Sequence, residues 1–266
     1  MKAFDMIELY HSVNSVCAQK VRIVLAEKGL EYVDHLMTLQ GDQFAPEYMK
    51  LNPNGVVPTL VHEGRAVTES AVILYYLDEA FPKPALMPRD LHARAAVRLF
   101  NKLIDEYLHN SCMILTFATA FRPWFAGLTG EQITARLAKS PLTQRTEYKR
   151  DVALNGLESK YVRDAVGHHM KLFKMMEQAL ERGPWLAGDA FSLADAAVIP
   201  YVLRVDLLKL QGFFADRPRI QDWYARMRAR PSVKKELLDR MTPADKAPFE
   251  KLGADLWPKV KALIVA

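Results

Sequence analysis

The chain is 266 residues long, 50% apolar and 25% charged, enough to bury one sizeable core or two small ones. Its net charge of +5, from Lys+Arg 36 against Asp+Glu 31, is too small and too well mixed for a nucleic-acid surface, but suits anionic small molecules. No apolar run is long enough to span a bilayer, MKAFDMIELY lacks a signal-peptide core, and two cysteines make no disulfide framework, so the expectation is a cytoplasmic protein with no membrane and no nucleic-acid partner.

In chain order, Ile7 and Leu9 alternate with polar neighbours as a short strand. Val16 to Leu30 reads as an amphipathic helix that stops at Gly29, and 32–39 as a second strand. Residues 56–68 read as two strands about a Glu63-Gly64 turn, and 70–81 as a helix. The order β-α-β-(α)-β-β-α predicts a small mixed sheet covered by helices. Three prolines in FPKPALMPRD then block any continuing helix, which sets a linker at 83–91 between a domain at 1–82 and one at 92–266.

Beyond the linker the periodicity is helical. Residues 92–121 predict one long helix, 122–160 a polar helical insertion with loops, and 159–181, 192–210 and 219–230 further helices. An α+β domain followed by an all-α domain is the predicted architecture. FSLAD reads as a capping box, with Ser192 as N-cap and Asp195 answering it, which assigns both to folding. The adjacent His168 and His169 point about 100° apart on a helix and do not converge on a metal.

Three stretches carry candidate chemistry. In GVVPTL, Pro58 cannot donate to a ladder and belongs at an edge or bulge; a cis Val57–Pro58 bond would turn the Val57 backbone toward a bound peptide, and a trans edge proline is the plain alternative. In TESAVILYYL, Ser70 is a natural N-cap, and no Glu or Gln follows at the third position to complete a box. A free helix start there would attract a carboxylate, with Glu69 suited to an amino group. In YHSVNSVCAQKV, Ser15, Asn14 and Cys17 crowd a strand-to-helix turn, with Tyr10 at the strand end. Ser15 can be a helix cap, and Cys17 a small apolar-like residue.

Together, SVNSVCAQKVRIVLAEKGL, LNPNGVVPTL, TESAVILYYLDEAFP and GPWLAGDAFSLADAAVIPY resemble, in the right order, the soluble glutathione transferases. PLTQRTEYKRDVALNG (141–156) resembles the bacterial relatives of the β-aryl etherases within that superfamily. The resemblance implies a thioredoxin-like first domain, a cis Pro58, a helical second domain, glutathione as cosubstrate, a homodimer and an enzyme of the detoxifying transferase kind. It implies that the Val57 backbone pairs with the cysteinyl part of glutathione and that Glu69 and Ser70 hold its γ-glutamyl end. Gln43 and Lys50 are the candidates for the glycyl carboxylate, Val56 replacing the Lys or Gln of relatives.

Activating the glutathione thiol by two pK units requires about 2.7 kcal/mol of preferential stabilisation of the thiolate. A hydroxyl at a helix N-terminus can supply it. Ser15 is the first candidate, with Asn14 and Cys17 behind it. An apolar, aromatic electrophile would lie against Tyr107, Asn110, Met113, Phe117 and Phe121, which recur at helical spacing, although such a stripe is also what a core needs. Two other readings stay open: thiol–disulfide exchange through Cys17, and a non-enzymatic binding scaffold.

Overall fold

The computed structural model describes residues 6–253 and 255–265. Its first half is a four-stranded sheet in the order β2-β1-β3-β4. β1 (Ile7–His11) pairs in parallel with β2 (Val33–Leu36) and antiparallel with β3 (Thr59–His62), which pairs antiparallel with β4 (Arg65–Val67). The parallel pair needs a crossover, and α1 (Val16–Glu27) supplies it. Ser15 caps α1 by accepting from the Ala18 N–H at 3.3 Å. The helix ends two residues before Gly29, whose φ of +64° lets the Leu30 N–H return to Leu25 O at 2.9 Å.

The Val57–Pro58 bond is cis, as the resemblance implies, and Lys83–Pro84 is a second cis bond that the sequence reading did not anticipate. Pro58 stands at neither an edge nor a bulge: it directly precedes β3, a fully buried strand with neighbours on both sides. That position demands no ladder donor, so the proline is tolerated beside a central strand. α2 (Pro46–Leu51) contributes Tyr48, whose hydroxyl, with the Asn52 amide, donates to Val56 O and fixes the approach to Pro58.

α3 (Ser70–Ala80) begins one residue earlier than a Ser70 cap would give. Its N-cap is Glu69, at φ +65°, and Ser70 is the first helical residue. From α3 the chain crosses residues 81–90 to α4 (Leu91–Leu103), and this crossing is pinned. Lys28 Nζ donates to Asp78 Oδ1, Phe81 O and Pro84 O at 2.7, 2.7 and 2.8 Å, while Asp78 accepts from the N–H groups of Leu86 and Met87.

The single long helix expected over 92–121 is interrupted. After α4, residues Ile104–Leu108 form a π turn, closed by the His109 N–H on Ile104 O, and α5 (His109–Ala118) follows. A π turn adds a residue per turn and rotates everything after it relative to α4. The insertion is a helical hairpin of α6 (Gly130–Leu137) and α7 (Thr143–Asn155) laid on α5. Then come α8 (Val162–Leu180), α9 (Leu193–Leu207), α10 (Pro218–Ala229), the short α11 (Pro231–Val233) and a second π turn at Lys234–Leu238. α12 (Pro243–Glu250) and α13 (Leu256–Val265) were not anticipated, because Pro248 interrupts the first of them in sequence.

α9 is buried from Leu193 to Val205 and packs on α1 and α4, joining the two halves in one apolar core. Its start has the expected capping box. The Asp195 carboxylate accepts from Ser192 N and Oγ, Leu186 N and Trp223 Nε1, all at 2.9–3.0 Å.

Candidate functional site

The turn before α1 is held by cations from inside the fold. The fully buried Arg22 guanidinium donates to Ser12 O, Val13 O and Glu236 O, and Arg204 of α9 donates to Asn14 O at 2.6 Å. With its carbonyls so occupied, the turn delivers Cys17 to the first turn of α1 with its sulfur facing the helical half. There Sγ lies 3.3 Å from His109 Nδ1, at the start of α5, and 3.8 Å from the Tyr201 hydroxyl of α9. The Tyr201 hydroxyl also lies 3.3 Å from His109 Nδ1.

Burial alone would raise the Cys17 thiol. The charge and hydrogen bond of His109, the charge of the fully buried Lys20 and the Ser70 hydroxyl outweigh it, and the pKa falls to about 6. Burial, first, and then the charge of Cys17 push the Tyr201 phenol well above its ordinary range. Tyr201 therefore keeps its proton and serves as a donor toward the sulfur. Cys112, the other cysteine, is driven by burial up to about 11 and stays a thiol in the core.

Cys17 opens on a cavity of about 350 Å³ lined by both halves of the molecule. On one wall lie Asn54, Val56, Val57, Pro58, Glu69 and Ser70; on the other, His109, Asn110 and the run Pro141–Arg145. The Glu69 carboxylate is exposed and makes no side-chain cap bond to α3, although Glu69 is its N-cap at φ +65°. The cavity thus combines a low-pKa thiol, two proton donors, the backbone at Val57 just before the cis Pro58 and the Glu69 carboxylate. Such a set can bind a peptide-like thiol compound and carry out nucleophilic chemistry at sulfur or carbon.

The structure brings Cys17, Val57, Pro58, Glu69, Ser70 and Asn110 together, and leaves the other predicted residues elsewhere. Ser15, the first candidate for thiol activation, does not line the cavity; its hydroxyl accepts from Ala18 N, so the cap claims it. The Asn14 side chain turns the opposite way and donates to Asp245 of α12. Gln43 accepts from Gly41 N, and Lys50 is exposed and paired with Glu47 at 2.9 Å, so neither faces the cavity.

The aromatic stripe is also displaced. Tyr107 sits in the π turn, exposed, against His168 and beneath Lys171. Met113, Phe117 and Phe121 pack into the core, Phe117 and Phe121 beside Trp124, and Phe117 also packs on the cluster that Ile133 of α6 and Ala153 of α7 form with Phe125. The hairpin places its own polar run, Pro141–Arg145, at the cavity, where Asn110 is the one stripe residue among the described lining.

His109, Tyr201 and Lys20 escaped the sequence reading. The usable signal was a histidine within an otherwise amphipathic helix, and a lysine three places after Cys17 on the same face of α1.

The family model of the glutathione S-transferase N-terminal domain matches residues 14–80, and that of the glutathione S-transferase C-terminal domain matches residues 139–231. The chain belongs to the glutathione S-transferase superfamily. Among the relatives of this transferase, Protein LigF of Sphingobium sp. strain SYK-6 is 27% identical over 237 residues, covering 86% of this chain and 91% of LigF. The crystal structure of beta-etherase LigF from the same strain superposes with a TM-score of 0.77 over 88% of this chain and 99% of its own, at 26% identity. Glutathione S-transferase TCHQD of Arabidopsis thaliana is 26% identical over 236 residues, 86% of this chain and 88% of that protein. Glutathione S-transferase Z1 of Arabidopsis thaliana is 47% identical over 92 residues, 34% of this chain and 42% of that protein.

Proposed function

We propose that this transferase moves glutathionyl groups through Cys17. The observation that carries the reading is the Cys17 sulfur at the cavity, 3.3 Å from His109 and lowered to a pKa of about 6. Glutathione lies with its cysteinyl backbone on Val57 and its γ-glutamyl end on Glu69 and Ser70, which brings a glutathionyl sulfur to Cys17. In a mixed disulfide of glutathione with a second thiol, the Cys17 thiolate attacks the glutathionyl sulfur. The disulfide bond breaks, the second thiol leaves with its electron pair and takes a proton, and Cys17 holds the glutathionyl group. A glutathione thiolate then attacks that new disulfide, releasing oxidised glutathione and restoring the Cys17 thiolate.

As the family resemblance implies, the enzyme works as a cytoplasmic homodimer. The likeness to LigF favours a second reading, in which His109 and Tyr201 stabilise the thiolate of bound glutathione itself for attack on an ether carbon. Replacing Cys17 by Ser separates the two. The first reading expects reduction of a glutathione mixed disulfide to fall to background, with one glutathionyl adduct on the wild-type chain by intact mass after exposure to oxidised glutathione. Retained reduction by Cys17→Ser would refute it and leave attack by glutathione's own sulfur.

A further inference from the structure

The polar wall of the cavity carries an unmatched positive charge. Among the described residues lining the cavity, Glu69 is the carboxylate and Arg145, in the first turn of α7, is the strong cation. Arg145 Nε donates to Asn110 Oδ1 at 3.2 Å, which fixes the guanidinium against α5. Among the described residues, no carboxylate oxygen lies within 4.0 Å of that guanidinium. One turn along, Lys149 lies over the Phe117 ring at 5.0 Å, again with no described carboxylate in reach. Two cations four residues apart on one helix face repel each other and weaken the helix. The first turn of α7 adds to the imbalance, because Leu142 offers no side-chain cap and Thr143 and Gln144 reach the cavity. An organic anion at this wall pairs with Arg145 and faces the uncapped start of α7.

Resting on the glutathionyl-transfer reading, we propose that the second substrate carries a carboxylate, received by Arg145 with Asn110 holding the guanidinium in place. The wall around it, with Pro141 and Leu142 beside Thr143 and Gln144, leaves room for a small apolar body between that carboxylate and the sulfur at Cys17. Arg145 is therefore a specificity-determining residue. Glu69 and Ser70 stand on the opposite wall, so the amino and carboxylate groups of the γ-glutamyl end make no demand on it.

Binding of unreactive thioethers tests this without needing turnover. S-(4-carboxybenzyl)glutathione and S-(4-methylbenzyl)glutathione differ by a carboxylate in place of a methyl, and calorimetry compares both with glutathione alone on the full chain. The wild type is expected to bind the carboxylated conjugate about tenfold more tightly, Arg145→Met to lose that preference with glutathione affinity unchanged, and Arg145→Lys to keep part of it. Equal affinity of the two conjugates for the wild type overturns the proposal. A matching loss of glutathione itself in Arg145→Met also overturns it, and gives Arg145 to the glycyl carboxylate. Failure of all three ligands to bind the wild type refutes the glutathione reading, and this inference with it; binding of glutathione with equal conjugates refutes only the inference.

Discussion

His109→Gln isolates the interaction that makes Cys17 a thiolate. The substitution keeps a polar side chain of similar reach but removes the imidazole whose charge and hydrogen bond offset the burial of the sulfur. With burial left unopposed by that group, the Cys17 midpoint rises from about 6 to the ordinary thiol value or above it. At pH 5.5 a thiol of pKa about 6 is about one quarter thiolate, against about 0.1% for one at 8.5. The lower-pKa thiolate is intrinsically about 13-fold less nucleophilic, for a Brønsted coefficient of about 0.45 across about 2.5 units. The wild type should therefore alkylate about 20-fold faster than His109→Gln at pH 5.5, and about sixfold slower at pH 8.5. The crossing of the two profiles is the signature, since a simple change in access would scale both ends alike. Iodoacetamide labelling of Cys17 followed by mass spectrometry across pH 5–9 reads it, and Cys112, buried with a pKa raised to about 11, does not interfere. Parallel profiles, or a wild-type midpoint near 8.5, would refute the assignment of His109 as the activating group.

Ser15→Ala should cost about 1 kcal/mol of stability in urea unfolding, the ordinary worth of an N-cap, and leave the Cys17 labelling midpoint in place; a raised midpoint would return Ser15 to the site. Asp195→Ala strips the acceptor from four buried donors, and should lower unfolding free energy by about 4 kcal/mol, at the upper end for one substitution; a loss below about 1 kcal/mol would deny the hub role.

Much of the first half was legible because its signals are local. Gly29 ends α1 through its own backbone freedom, and Glu63-Gly64 makes the tight turn between β3 and β4, with φ +52° and +72°. The capping box at Ser192 and Asp195 closes within four residues, so its pattern is readable without knowing what surrounds it. The site was legible only in part. Val57, Pro58, Glu69 and Ser70 lie in short motifs, whereas Ser15 caps α1 away from the cavity lining, and a cap and a thiol activator present the same residue in the same place in the sequence.

The order of elements, the caps and the points at which the backbone leaves regular structure are written locally along the chain. Packing alone selects which neighbour charges Cys17 and which residues face the cavity. Cys17 and His109 are 92 positions apart and belong to different halves, so their contact exists only once α1 docks on α9 and meets the start of α5. The π turn at Ile104–Leu108 and the covering α6–α7 hairpin set which side of α5 is free, and neither leaves a periodic trace. The physical reason is range. Helix and turn preferences act over a few residues, while a pKa and a cavity wall are set by whatever packing brings within a few ångströms, wherever it lies along the chain.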